Sequence, residues 1–156
     1  MNEKIIENWN AIIKPEDDVY ILGDIVLSDT DSGIAALKQL KGQIHIIRGN
    51  HDSEARLKLY ADCWNVIEVC DAKFLKIGKQ SFFLSHYPCL TSNHDDNKPL
   101  NRRIVNLCGH THCQDRWHDF DKGLIYHVEL DAHGNKPVSA DTILNEIKEK
   151  LTNEKI

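Results

Sequence analysis

Apolar positions along the chain change their period near residue 65. Residues 2–14 carry Ile5, Ile6, Trp9, Ile12 and Ile13 at helical spacing and are followed by Pro15, which predicts an amphipathic helix whose apolar stripe covers a layer beneath it. Val19-Tyr20-Ile21-Leu22, ahead of Gly23-Asp24, is short and apolar throughout, as a strand buried on both faces must be. A second helix is expected over 32–41, with Ile34, Leu37 and Leu40 on one stripe and Gly42 as its stop. Ile44-His45-Ile46-Ile47 predicts another strand, which runs into Gly49-Asn50-His51-Asp52. A third helix is expected over 53–61, capped by Asp52 or Ser53.

Beyond this point strands follow one another. The runs 65–70, 73–77 and 81–86 are β-rich, with Gly78-Lys79-Gln80 as a hairpin loop. The polar stretch 88–103 reads as a long surface loop of the kind that lines binding sites. Residues 104–108 form a strand ending in Gly109-His110-Thr111-His112, residues 124–130 form the last clear strand, and 142–151 form a closing helix capped by Ser139 or Asp141. A βαβα opening followed by a β-rich second half predicts an α/β fold in one domain, with two sheets packed face to face and helices outside, an α/β/β/α sandwich.

Composition narrows the classes. The 156 residues, 41% hydrophobic and 28% charged, have the make-up of a folded chain rather than a disordered one. A formal charge of −5 gives no overall field that would gather nucleic acid or anionic lipid. The opening MNEKIIENWN has neither a basic nor an apolar leader region, and no apolar run approaches the ~18 residues of a spanning helix, so export and membrane insertion are disfavoured. Five cysteines without a CxxC pair point to reduced thiols and a cytoplasmic location.

Histidine changes the picture. Four times an apolar run ends and metal-ligand residue types follow at once: Asp24, then Asn50-His51-Asp52, then His86, then His110-Thr111-His112. The carboxyl edge of an α/β sheet is where loops converge on one crevice, so a carboxylate, an amide oxygen and three imidazoles can meet there. That donor set is too nitrogen-rich for Ca²⁺ and lacks the thiolates of structural zinc; it suits Mn²⁺, Fe or Zn²⁺. Singly, Gly-Asp is a common turn, Asn-His-Asp caps a helix, and a lone histidine more often packs than ligates. The joint occurrence at four strand ends carries the inference. Arg48, Arg102 and Arg103 could reach a bound ligand or simply face solvent, and His45, His94, His118, His127 and His133 are assigned to packing or surface. Asp95-Asp96 reads as a solvated acidic run.

In this order, Gly23-Asp24, Gly49-Asn50-His51-Asp52, His86 and Gly109-His110-Thr111-His112, the motifs resemble those of the calcineurin-like metallophosphoesterases, from about residue 1 to Lys136-Pro137-Val138-Ser139 and the helix after it. The resemblance implies a four-layer sandwich and hydrolysis of a phosphomonoester or phosphodiester by a metal-activated hydroxide, with two divalent ions (Mn, Fe or Zn). Asp24 would bridge them, Asn50, His86 and His110 would complete one site, and His112 would belong to the other. His51 would face the phosphoryl oxygens or the leaving group, Asn50 and His51 would contact substrate, and Asp52 would orient the His51 ring. Family members open with a strand ending in Asp-x-His, whereas residues 1–23 contain no histidine. The expectation is therefore one well-formed ion site, a weak second one, an exposed sheet edge and self-association. The alternative is a catalytically impaired metal-binding or interaction protein.

Overall fold

The computed structural model describes residues 3–91, 104–118 and 124–153; His94, Asp95, Asp96, Arg102 and Arg103, and the side chain of His118, lie outside the described residues. The first half alternates as its apolar periodicity requires: α1 (Glu3–Ile12), β1 (Asp18–Ile21), α2 (Thr30–Leu37), β2 (Gln43–Ile47), α3 (Glu54–Ala61) and β3 (Val66–Cys70). The three strands form a parallel sheet in the order β1-β2-β3. Ile44, Ile46 and Ile47 of β2 are fully buried, each contributing roughly 1.5–3 kcal/mol. Trp9, Leu37, Leu40 and Tyr60 from the helical segments pack with Val19, Ile44 and Ile46 in one cluster.

The second half forms another sheet. Strands β4 (Ala72–Ile77), β5 (Gln80–Ser85), β6 (Ile104–Cys108), β7 (Trp117–His118) and β8 (Ile125–His127) stand in the order β4-β5-β6-β8-β7. The β4–β5 and β7–β8 pairs are antiparallel, and β5–β6–β8 run parallel. The sheets meet through Leu22 and Ile47 on one side and Phe82, Leu84, Val105, Leu107 and Tyr126 on the other; Ile143 and Ile147 of α4 (Ala140–Asn153) join that cluster. Among the described residues this is the mixed α/β fold of two sheets and four helices that the pattern led us to expect.

Three boundaries differ from the sequence reading. Helix α2 starts at Thr30 because Asp29 caps it, accepting from the Ser32 amide, and it ends at Leu37 rather than near Gly42. The last predicted strand stops at His127, and residues Leu130–His133 wind into a 3₁₀ turn. The two-residue β7 was missed because so short a strand carries no periodicity. Of the offered caps, Ser53 and Ser139 take the role, accepting from the Arg56 and Thr142 amides.

Among the described residues β1 pairs only with β2. A groove of about 1190 Å³ runs past β1, lined by Trp9, Val19 and Leu22 on one side and Leu84, Leu107 and Ile143 on the other, and it reaches Asp24, His86, His110 and His112.

Candidate metal centre

The four candidate segments do converge at the carboxyl ends of β1, β2, β5 and β6. Close approach of the first two requires glycine. A Cβ on Gly49 would lie 2.2 Å from the Asp24 Oδ1, and one on Gly23 would lie 2.5 Å from the His86 Nδ1. Asp52, buried at 1% exposure, ties these turns together. Its Oδ2 accepts from the amides of Asp24 and Gly49, each at 2.8 Å, and its Oδ1 accepts from the Tyr60 hydroxyl at 2.9 Å. Burial first, and then the Asp52 carboxylate beside it, push the Tyr60 hydroxyl's pKa upward. The carboxylate thus serves two backbone amides and the Tyr60 hydroxyl.

The His86 ring lies almost fully buried, and its Nδ1 donates to the Leu22 carbonyl at 2.7 Å. That bond fixes the tautomer and leaves the lone pair on Nε2. Around Nε2 stand Asn50 Oδ1 at 2.8 Å, His110 Nδ1 at 3.1 Å and Asp24 Oδ2 at 3.4 Å. One ligand atom each from Asp24, His86 and His110 lie within 4.8 Å of one another. Atoms that each present a lone pair repel unless a cation or proton sits among them. Two oxygens and two nitrogens, with no thiolate, are a donor set that fits Mn²⁺, Fe or Zn²⁺.

The backbone is strained at the same place. Asp24, His110 and His112 have φ of 54°, 75° and 52°, a region where only Asn135 joins them among the described non-glycine residues. Such conformations cost about 1–3 kcal/mol each and persist where surrounding bonds hold them. Asp24 is held from both sides: its amide donates to Asp52, and its Oδ1 accepts from the His51 amide at 2.8 Å.

His112 does not join the three-residue group. Its side chain is 81% exposed, and its Nδ1 pairs with Asp131 Oδ2 at 3.0 Å. His51 contributes its amide to Asp24 and its carbonyl to Arg56, while the residue itself is exposed. Arg48 pairs with Glu54 at 2.6 Å. His45 packs between neighbouring strands, against Asp18 and Glu68.

Sequence reasoning missed three partners. Tyr87 sets its ring edge-on to both His86 and His110, with centroids 5.0 and 4.8 Å away. Glu129 and Asp131 follow β8 and reach back to Thr111 and His112. The signal that could have found the two acids is the rule that found the ligands: polar residues directly after an apolar strand.

Residues 1–128 match the calcineurin-like phosphoesterase superfamily domain. An uncharacterised protein of Methanocaldococcus jannaschii is 31% identical over 153 residues, covering 95% of this chain and 76% of that protein. The gene 66 protein of Mycobacterium phage L5 is 28% identical over 156 residues, 86% of this chain and 75% of the phage protein. Among solved structures, a protein of unknown function from Aquifex aeolicus superposes with a TM-score of 0.61 at 23% identity, covering 92% of this chain and 83% of that one. An archaeal phosphodiesterase superposes at 0.52 with 22% identity, over 84% and 77% of the respective chains.

Proposed function

Because the chain belongs to the calcineurin-like phosphoesterase superfamily, we propose that it is a metal-dependent phosphoesterase that hydrolyses a phosphomonoester or a phosphodiester. The observation that carries this reading is the meeting of Asp24 Oδ2, Asn50 Oδ1 and His110 Nδ1 within 3.4 Å of His86 Nε2. These residues would hold a divalent ion, Mn²⁺, Fe or Zn²⁺. When bound, such an ion supplies Lewis-acid relief of phosphoryl charge and a water acidified enough to attack at neutral pH. His51, exposed and one residue from Asn50, presents its ring toward substrate and gives a proton to the leaving oxygen, a role worth typically 10²–10⁴-fold. Asn50 also contacts a phosphoryl oxygen. Asp52 acts through the backbone, setting the position of Asp24 and Gly49.

Likeness to an archaeal phosphodiesterase supports a diester among the candidate substrates. All five cysteines are free, which supports a reducing, cytoplasmic setting. Among the described residues no helix is long and apolar enough to cross a membrane. With a charge of −5, nucleic acid is a disfavoured partner, and the edge of β1, which among the described residues pairs only with β2, supports self-association.

One observation favours the second reading, an impaired enzyme that keeps a single ion: His112 stands apart from the Asp24–His86–His110 group and is paired with Asp131. Hydrolysis of a generic aryl phosphodiester with and without Mn²⁺ separates the two. The enzymatic reading expects Mn²⁺-dependent turnover that His51→Ala lowers at least about 100-fold. An equal rate in that variant would assign the hydrolysis to a contaminant, and no turnover with a bound ion would favour the impaired protein.

A further inference from the structure

We propose that residues 127–131, which lie beyond the sequence reading's motifs, form a clamp that holds the His110-Thr111-His112 turn in its ligand-presenting conformation, with Glu129 as the main positioning residue. The inference rests on the metal-site reading above and assigns that site a support.

The turn needs one. His110 and His112 both adopt left-handed backbone conformations, with Thr111 between them, and all three residues are exposed; ring contacts from His86 and Tyr87 reach only His110. Glu129 holds the turn by hydrogen bonding. Its Oε1 accepts from the Thr111 amide at 3.0 Å and from the Thr111 hydroxyl at 2.8 Å. Its Oε2 meets His127 Nδ1 at 3.0 Å, and that nitrogen also lies 3.2 Å from the Thr111 hydroxyl. The Glu129 side chain is 8% exposed and that of His127 2%, so a carboxylate anchored in the core is delivered to a surface turn. Two residues further on, Asp131 accepts from His112 Nδ1 at 3.0 Å, which ties down the other end of the turn.

Both contacts originate from one short piece of chain. The amide of Val128 donates to the Cys108 carbonyl at 2.9 Å, so the clamp is bonded to the strand that delivers the histidines. Groups placed in this way around a ligating histidine set its ring orientation, and their loss typically costs 10–100-fold in metal affinity.

The test uses the whole chain and Mn²⁺ alone as probe. Hydrogen exchange of the Thr111 amide is measured in metal-free protein, and Mn²⁺ affinity by calorimetry, for wild type, Glu129→Ala, Thr111→Val and Thr111→Ser. The clamp expects a protected Thr111 amide in wild type and protection at least about tenfold lower in Glu129→Ala. Mn²⁺ should bind about tenfold more weakly to Glu129→Ala and several-fold more weakly to Thr111→Val, whereas Thr111→Ser, which keeps the hydroxyl, should match wild type. Should Glu129→Ala fail to fold, the exposed Val/Ser pair decides. Unchanged affinity in both weakened variants, or a Thr111 amide exchanging as freely as open chain, overturns the clamp. A wild-type protein that binds no Mn²⁺ overturns the metal-site reading instead, and the clamp is then judged on the Thr111 amide alone.

Discussion

Asp52 illustrates how a side chain can be legible in the sequence while its partners are not. Its position after Gly49-Asn50-His51 marked it for the site, but the partners that define its role are a backbone amide 28 residues away and Tyr60, which spacing does not reveal. Removing it strands three donors, two of them in buried pairs, and an unsatisfied buried group costs about 1–3 kcal/mol. Asp52→Ala is therefore expected to lose about 3 kcal/mol or more in urea unfolding, and Tyr60→Phe about 1 kcal/mol; equal, negligible losses would contradict the bridge. Glu129 gives a pH signature. Burial raises the pKa of its carboxyl, but the close approach of His127 and the hydrogen bonds from Thr111 outweigh this and the net shift is downward. A depressed carboxylate stabilises the fold above its unfolded pKa, near 4.3, and that contribution disappears as pH falls through the folded value. The stability gap between wild type and Glu129→Gln should thus be constant from about pH 5 to 7 and shrink below about pH 4. Parallel urea midpoints across that range would remove Glu129 from the account.

At the scale of elements, strands and helices were legible wherever the apolar period was long. The run Ile44 to Ile47 and the segment Ile104–Cys108 were visible because the first is buried throughout and the second from Val105 onward. Helix α2 was misplaced because its limits are set by the Asp29 cap and by residues 38–40 tightening into turns, local hydrogen bonding that a stripe of apolar residues does not record. The site lies in the connections, where two glycines have opposite meanings. Gly78, in the two-residue turn between β4 and β5, has φ of 60° but no atom within 4 Å of where a Cβ would stand. Gly49 has three Asp24 atoms within 2.8 Å. Gly78→Ala is expected to cost about 1–2 kcal/mol, the left-handed penalty alone, and to leave Mn²⁺ affinity unchanged. Gly49→Ala displaces Asp24 and should abolish Mn²⁺ binding while costing about 1–3 kcal/mol from overpacking. Calorimetry on both variants reads the difference, and equal affinities would show that the β1–β2 approach does not position the ligand.

For the molecule as a whole, the groove beside β1 connects fold and site. A strand paired on one side exposes a row of backbone donors and acceptors, and here the neighbouring walls are apolar and run to Asp24 and His110. We expect two copies to cover these edges, so that light scattering shows association rising with concentration; a monomer at every concentration would refute this. The sequence pattern exposed the two-sheet architecture and five candidate ligands, because both depend on residue type at strand ends. Residue type alone grouped His112 with the others and only the family resemblance set it at a second site; its partner Asp131, 19 positions further along the chain, was not legible. The central claim is that Asp24, Asn50, His86 and His110 converge in order to hold a cation. Anomalous scattering from crystals soaked in manganese tests it most directly. One strong peak among those four side chains, absent in His86→Ala, is the predicted result; no peak there, or one only at His112 and Asp131, would contradict it.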